Sequence, residues 1–414
     1  YSNIVGETIC RLLEASGAKV RRINYQGDVG LHVAKAVWAL HHSETLSGAY
    51  AVGSRAFETN PLARAEIEEL NKKIYARIDK NINKIYDAGR AESLAVFEKI
   101  YERLGTKFDF YYFESEVGKI GQKIVQENLK KGIFEKSEGA VVFPGEKYGL
   151  HKRVFITSEG LPTYEAKELG LAPVKYKDFP YNVSIIVTGS EITDYFKVVV
   201  SALKTIYPEL GKKTLHIAHG MVRLKTGKMS SRTGEIIRGE DLLDEVKKKV
   251  SEKNKDKEVA EKVALSAVKY SFLRVGIGKD IIFDVDASLN IEGDSGPYLQ
   301  YTHARFRSIL RKIAGSQKKM PAAVKMSSLE RQLAAAILHF PEVVENAANL
   351  FSPNILANYL RDTAMLANEF YHSHPVEQEK DKVKRQFRAG LAEVITATLK
   401  QGLNILGIFA PEKM

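Results

Sequence analysis

Apolar residues Ile4, Val5, Ile9, Leu12 and Leu13 recur at helical spacing through residues 3–16, and Gly17 stops the pattern. The next stretch, AKVRRINYQGD, places Val20, Ile23 and Tyr25 as a strand signal. A Gly27-Asp28-x-Gly30 turn then opens a second helix through Ala34, Val37 and Trp38. Helix, strand, turn, helix is the rhythm of a parallel α/β sheet, whose ligands gather at the carboxyl ends of strands. A doubly wound half-domain opens on a strand and a phosphate-facing turn, whereas this chain opens on a helix. Its first strand is therefore expected to be missing.

From about 60 to 135 the pattern turns long, charged and helical, with apolar residues every three or four positions through IEELNKKIYARIDKNINKIYDAGRAESLAVFEKIYERLG. Residues 51–135 are predicted to be a helical insertion. Short β-rich runs return at GAVVFP, KRVFIT, VSIIVTG and KTLHIAHGMV, as if the interrupted sheet resumed. The catalytic-type core is thus assigned to 1–50 and 136–225, and a loop and junction region to 226–290. An amphipathic helix at Glu240–Glu252 and a lysine-rich connection at Lys253–Lys257 lie in that junction. Residues 291–414 read as a helical domain with turns at Ser352-Pro353 and His374-Pro375.

Charge adds a partner to this picture. The 62 Lys and Arg outnumber the 51 Asp and Glu, giving +11 over 414 residues and suiting a polyanion such as nucleic acid. Residues 295–414 hold 16 of the cations against 10 acids. A single cysteine, Cys10, excludes an intramolecular disulfide and a cysteine zinc site, and points to a reducing compartment. No window approaches the roughly 20 apolar residues that span a bilayer, and the N-terminus lacks a signal-peptide layout. The expected location is the cytoplasm, with no membrane partner.

Three stretches carry candidate chemistry. In GMVRLKTGKMSSRTGEII (residues 220–237) glycines and serines soften a loop bearing Lys225, Lys228 and Arg232. Such a loop can close cations and backbone N–H groups over phosphates, or it can be a solvated basic hairpin. The strand end HIAHG before it favours the first use, because Gly220 would let a flat base lie against the backbone. In GLPTYEAKELG, a helix capped by Thr163 would put Tyr164 and Glu168 on one face. That pair suits a guanidinium, although a Glu near a helix start also simply offsets the helix dipole. In EGDSGPYLQYTHARFRSIL, Gly293, Gly296 and Pro297 force a turn before Tyr298, Tyr301, His303, Arg305 and Arg307 on one helix. Aromatics interleaved with cations suit RNA, and a buried helix with its cations outward fits equally. His32, His41, His42 and His151 receive no chemistry.

Taken in order, these stretches resemble the arginyl-tRNA synthetases, class I aminoacyl-tRNA ligases, over essentially the whole chain. KMSSR resembles their signature loop, HGM their adenine-contacting strand end, YQGDVG their turn after the second strand, and PTYEAKELG their arginine-binding helix. EGDSGPYLQYTHAR and the ending LNILGIFAPEKM are also similar to family segments. The resemblance implies a Rossmann-like α/β catalytic core with a helical insertion and an all-α anticodon-binding domain. It implies ATP-dependent activation of arginine, with Mg²⁺ in the ATP complex and no protein-held metal, then transfer to tRNA(Arg). It assigns Lys228, Ser230 and Arg232 to catalysis on the pyrophosphate, and His219, Gly220, Met221, Val222 and Lys228 to ATP. Tyr164, Glu168 and Ile192 fall to arginine, and Tyr298, Gln300, Tyr301, Arg305, Phe409 and Met414 to tRNA. A monomer that needs bound tRNA before it activates arginine is implied as well.

Three departures accompany the resemblance. No His-x-Gly-His turn occurs in the 414 residues, so the chain by itself is expected to be inactive or impaired. Ile192 stands where many relatives carry Gln, which removes a polar contact to arginine. Ser231 holds the loop position that is usually Lys. The competing readings are a tRNA-binding protein without catalysis, and a nucleotidyltransferase, which would not need the helical C-terminal domain.

Overall fold

The computed structural model describes residues 1–42, 44–225, 238–313 and 324–414. Lys228, Ser230, Ser231 and Arg232, expected to form the phosphate-closing loop, lie outside the described residues. The chain divides into two compact units: Tyr1–Val20 with Val187–Ser190 and Ala218–Met414, and Arg21–Ile186 with Glu191–Ile217. Its mixed α/β make-up ending in helices agrees with the fold class read from the sequence.

In the unit that starts at Arg21, β1 (Ile23–Gln26) runs parallel to β2 (Phe110–Phe113), with Ile23 opposite Phe110 and Gln26 opposite Phe113. Between them lie four helices, Leu31–His41, Leu46–Thr59, Pro61–Ala76 and Lys80–Leu104. Local chemistry sets their ends. Asn60 accepts from the N–H groups of Leu62 and Ala63 at 3.0 and 3.3 Å, with Pro61 at the first helical position. Asp79 caps the fourth helix in the same way, and Gly105 closes it with φ of 69°. Val29, Ala34, Val37, Ile67, Leu70, Ile74, Ile82 and Tyr86 form the core that these helices share.

The expected helical insertion therefore ends early. Phe110–Phe113 is a strand and Glu135–Ser137 another, so residues 51–135 are not helical throughout. The strand FYYF is short and fully aromatic, and neither helical nor alternating periodicity marks it. A second difference concerns the returning strands. β3 (Glu135–Ser137), β4 (Ala140–Phe143) and β5 (Arg153–Ile156) form a separate antiparallel sheet instead of resuming the parallel one. Phe134, Phe143 and Phe155 lock that sheet onto Val125, Leu169, Val198 and Leu203. Two further strands, β6 (Ser184–Gly189) and β7 (Thr214–His219), pair with each other.

In the other unit, β8 (Val222–Leu224) runs parallel to β9 (Ile281–Phe283). The rest is helical, including Lys257–Leu273, Gly296–Lys312, Pro353–Ser373 and Lys382–Ile405. Gly296 permits a tight crossing: an added Cβ would stand 2.3 Å from the Ser266 carbonyl oxygen. Leu299, Phe306, Leu360, Phe370, Ile395 and Leu399 fill the core beneath. Among the described residues no helix is long and apolar enough to cross a membrane.

Candidate functional site

The parallel register of β1 and β2 brings two strand exits side by side, Gly27-Asp28 and Glu114-Ser115. Asp28 ties them together: its carboxylate accepts from the Ser115 N–H at 2.9 Å, the Ser115 hydroxyl at 2.7 Å and the Arg90 Nε at 2.9 Å. The Tyr86 hydroxyl adds a fourth bond at 3.3 Å. With its oxygens engaged on every side, Asp28 is a brace for the two turns.

The helix Tyr164–Asp178 lies across these exits because glycine lets it approach. An added Cβ on Gly121 would stand 1.7 Å from the Ala166 carbonyl oxygen, and one on Gly170 would stand 2.1 Å from that of Val117. Thr163 precedes the helix without capping it; its hydroxyl turns back to the carbonyls of Val154 and Phe155 at 2.8 and 3.2 Å. The expected cap is thus replaced by a tether to β5.

The helix delivers two charged side chains to the strand exits. Lys167 donates to Glu114 Oε2 at 2.6 Å, with side-chain exposures of 3% and 7%. Its ammonium also lies 4.8 Å from the Tyr164 ring. Burial pushes the Glu114 carboxyl up, Lys167 works against that, and Asp28 adds to it. Glu168 differs. It is half-buried, and no hydrogen bond or ion pair engages its carboxylate among the described residues. Burial pushes it up to about 7, opposed by Lys175 and reinforced by Glu114. Lys175 is itself buried and held by the Ser184 hydroxyl at 3.0 Å.

Tyr164 and Glu168 share the helix Tyr164–Asp178, four residues apart as expected. Tyr164 is 51% exposed and its hydroxyl meets His32 Nδ1 at 3.1 Å. The other ring nitrogen of His32 faces the Gly27 carbonyl at 3.3 Å. A carbonyl only accepts, so Nε2 carries the proton and Nδ1 takes the Tyr164 hydrogen. Tyr25 from β1 and Tyr195 instead share the field of Glu168, and burial, above all, raises both phenols. Ile192 ends a short turn before the helix Thr193–Ile206, is 37% exposed and offers no polar atom. Glu114, Tyr25, Tyr195 and His32 were missed by sequence reasoning. Only the acidic residue directly after the aromatic run FDFYYF offered a signal for Glu114.

This constellation leaves one open carboxylate among three. Among the described residues Asp28 and Glu114 pair with cations of the protein's own, Arg90 and Lys167, and Glu168 has no such pair. A carboxylate of this kind can accept two N–H groups of a planar cation.

The strand-end residues expected to hold ATP lie in the other unit. His219 is buried, and its Nε2 meets the Ser2 hydroxyl at 2.7 Å while the Tyr1 ring packs 4.4 Å from the imidazole. Gly220 has its side-chain position filled by backbone: an added Cβ would stand 2.2 Å from the Lys279 carbonyl oxygen. Its N–H donates to Ile277 O at 2.8 Å, so backbone of the chain itself packs on that side of the glycine. Met221 is exposed, with its N–H bound to Asp280 at 2.8 Å, and Val222 enters β8. Among the described residues no cluster of three or more His, Cys, Asp or Glu could hold a metal.

The residues expected to meet tRNA divide between core and surface. Gln300 is 1% exposed and donates to the Phe409 carbonyl at 2.8 Å, and His303 meets the Pro411 carbonyl at 2.8 Å. Gln300 is therefore a clamp on the C-terminal segment, and its amide does not face solvent. Arg307 pairs with Glu412, and Arg311 donates to the Glu412 carbonyl at 2.7 Å. Arg305 donates to Asn368 at 2.6 Å between the rings of Tyr301 and Tyr371, and Tyr298 accepts from Asn368 at 3.0 Å. Phe409 and Met414 are exposed, the former under the Lys262 ammonium at 4.0 Å.

Comparison with known proteins agrees along the whole chain. The family described as tRNA synthetases class I (R), catalytic domain, matches residues 1–285, and the DALR anticodon binding domain matches residues 299–414. The arginine–tRNA ligase of Porphyromonas gingivalis is 29% identical, the match covering 100% of this chain and 77% of that protein. That of Flavobacterium psychrophilum is 31% identical over 100% and 76%. The solved Thermus thermophilus arginyl-tRNA synthetase superposes with a TM-score of 0.76 at 26% identity, covering 100% of this chain and 79% of that one. The Plasmodium falciparum enzyme, at 20% identity and a TM-score of 0.80 over 100% and 73%, shares the fold.

Proposed function

The chain belongs to the class I arginyl-tRNA synthetases, a family of enzymes, and from that premise we propose that it ligates arginine to tRNA(Arg) in the cytoplasm, as a monomer. The observation that carries this reading is the unpaired, half-buried Glu168 carboxylate, whose field reaches the half-buried phenols of Tyr25 and Tyr195. Arginine enters with its guanidinium on Glu168, and Tyr164 closes the pocket from the solvent side.

Chemistry then proceeds in two displacements. The arginine carboxylate attacks the α-phosphorus of ATP, and pyrophosphate leaves. The terminal ribose hydroxyl of tRNA attacks the resulting anhydride, and AMP leaves. Mg²⁺ arrives with the ATP phosphates and neutralises charge as pyrophosphate departs. Lys228, Ser230 and Arg232 supply the protein's share of that neutralisation. His219, Gly220, Met221 and Val222 take the nucleotide, and Met221 is the one whose side chain is open to it. Tyr298, Tyr301, Arg305, Phe409 and Met414 face the tRNA, with Gln300 holding the segment that presents Phe409. The 414 residues contain no His-x-Gly-His run, so the same reading holds that this polypeptide by itself activates arginine poorly. Removing one preorganised transition-state donor costs about 3 kcal/mol.

Aminoacylation of total tRNA with each amino acid tests the proposal, using this polypeptide and a version lengthened to carry His-x-Gly-His. Arginine alone should be attached, and faster by the longer protein. Attachment of another amino acid, or of none by either protein, would overturn it.

A further inference from the structure

One oxygen in the pocket is unaccounted for. Tyr25 lies on β1 opposite Tyr112 on β2, and both rings pack with Val117 and Leu171. The Tyr112 hydroxyl donates to Asp178 at 2.8 Å. The Tyr25 hydroxyl, sealed from solvent, has no hydrogen-bond partner among the described residues. Buried polar atoms are usually paired, and this unpaired hydroxyl sits near a strand's carboxyl end, where α/β sheets take their ligands. Its charged surroundings are Glu168, Glu114 and Asp28. Asp28 and Glu114 are occupied by Arg90 and Lys167, so the open acceptor beside Tyr25 is Glu168.

We propose that Tyr25 is a specificity-determining residue of the arginine pocket, its hydroxyl oxygen accepting an N–H of the guanidinium that Glu168 grips. The inference rests on the reading of Glu168 given above. A guanidinium offers five N–H donors in a plane; a carboxylate takes two, and others remain to be satisfied inside the pocket. Burial, with the three carboxylates adding to it, holds the phenol proton firmly in place. A neutral phenol accepts on its oxygen and turns its own proton toward a carboxylate. An ammonium, with no planar fork, cannot span both groups in the same way.

Calorimetric titration of the 414-residue polypeptide with L-arginine, and with agmatine, which keeps the guanidinium and lacks the carboxylate, tests this. Tyr25→Phe should weaken both ligands by about tenfold or more, the usual worth of a bond to a charged group, with an unchanged melting temperature. Tyr112→Phe should leave both affinities as they are. If Tyr25→Phe binds like the wild type while Glu168→Gln is weakened, the Tyr25 inference falls and the pocket stands. If Glu168→Gln also binds normally, or the wild type takes up neither ligand, the pocket itself is wrong and Tyr25 falls with it.

Discussion

Arginine affinity should depend on pH in a way that isolates Glu168. In the free pocket its carboxyl is pushed from 4.5 up to about 7, by burial first, with Lys175 opposing and Glu114 adding. Only the ionised form pairs with a guanidinium. At pH 6 roughly one pocket in ten is ionised and at pH 8 roughly nine in ten, so affinity should rise about tenfold across that interval. Above pH 8 it should level off. The sign for stability is opposite: a raised carboxyl favours the folded state below about pH 4.5, and that contribution is lost as pH rises through about 7. Arginine restores it by supplying a counter-charge. Titration calorimetry at pH 6, 7 and 8, in two buffers of different ionisation enthalpy, would report affinity and proton release together. An affinity constant within twofold, or one that falls with pH, would refute the reasoning.

Other perturbations follow from packing and charge. Gly121→Ala would force a Cβ against the Ala166 carbonyl, displacing the turn that carries Lys167 and Glu168. Urea unfolding should show a loss of about 1–3 kcal/mol, with weaker arginine binding; an unchanged midpoint would contradict the close crossing. Arg388 is buried between Glu330 at 2.8 Å and Glu379 at 2.7 Å, so Arg388→Met should cost about 3–5 kcal/mol in the same assay. Adding Glu330→Gln should recover part of that loss. Filter binding of tRNA(Arg) should weaken linearly with the logarithm of salt concentration, and a flat response would remove the RNA partner.

How much of this was legible in the sequence depends on the range over which each feature is determined. The opening helix, Ser2–Ala15, and the helix Gly296–Lys312 follow from local periodicity and were read correctly. β2 was lost because four aromatic residues carry no period, and its partner β1 lies more than eighty residues away. The role of Thr163 was misjudged for a related reason: the motif names a cap, but only the adjacent β5 shows its hydroxyl has better acceptors. Within the site, Glu168 was reachable from a motif. That it is the unpaired carboxylate, while Asp28 and Glu114 are spoken for, depends on Arg90 and Lys167 arriving from distant segments. At Gly220 the close packing of the Lys279 backbone against the Cβ side is a long-range feature with no local signal.

A guanidinium seated at Glu168 is the centre of the proposed chemistry. A crystal structure of the protein soaked with L-arginine measures this directly. Two guanidinium nitrogens within about 3 Å of the Glu168 carboxylate, with the Lys167 to Glu114 pair intact, is the predicted result. Arginine bound through Glu114 after Lys167 has moved away, or seated at a distance from both, would contradict it.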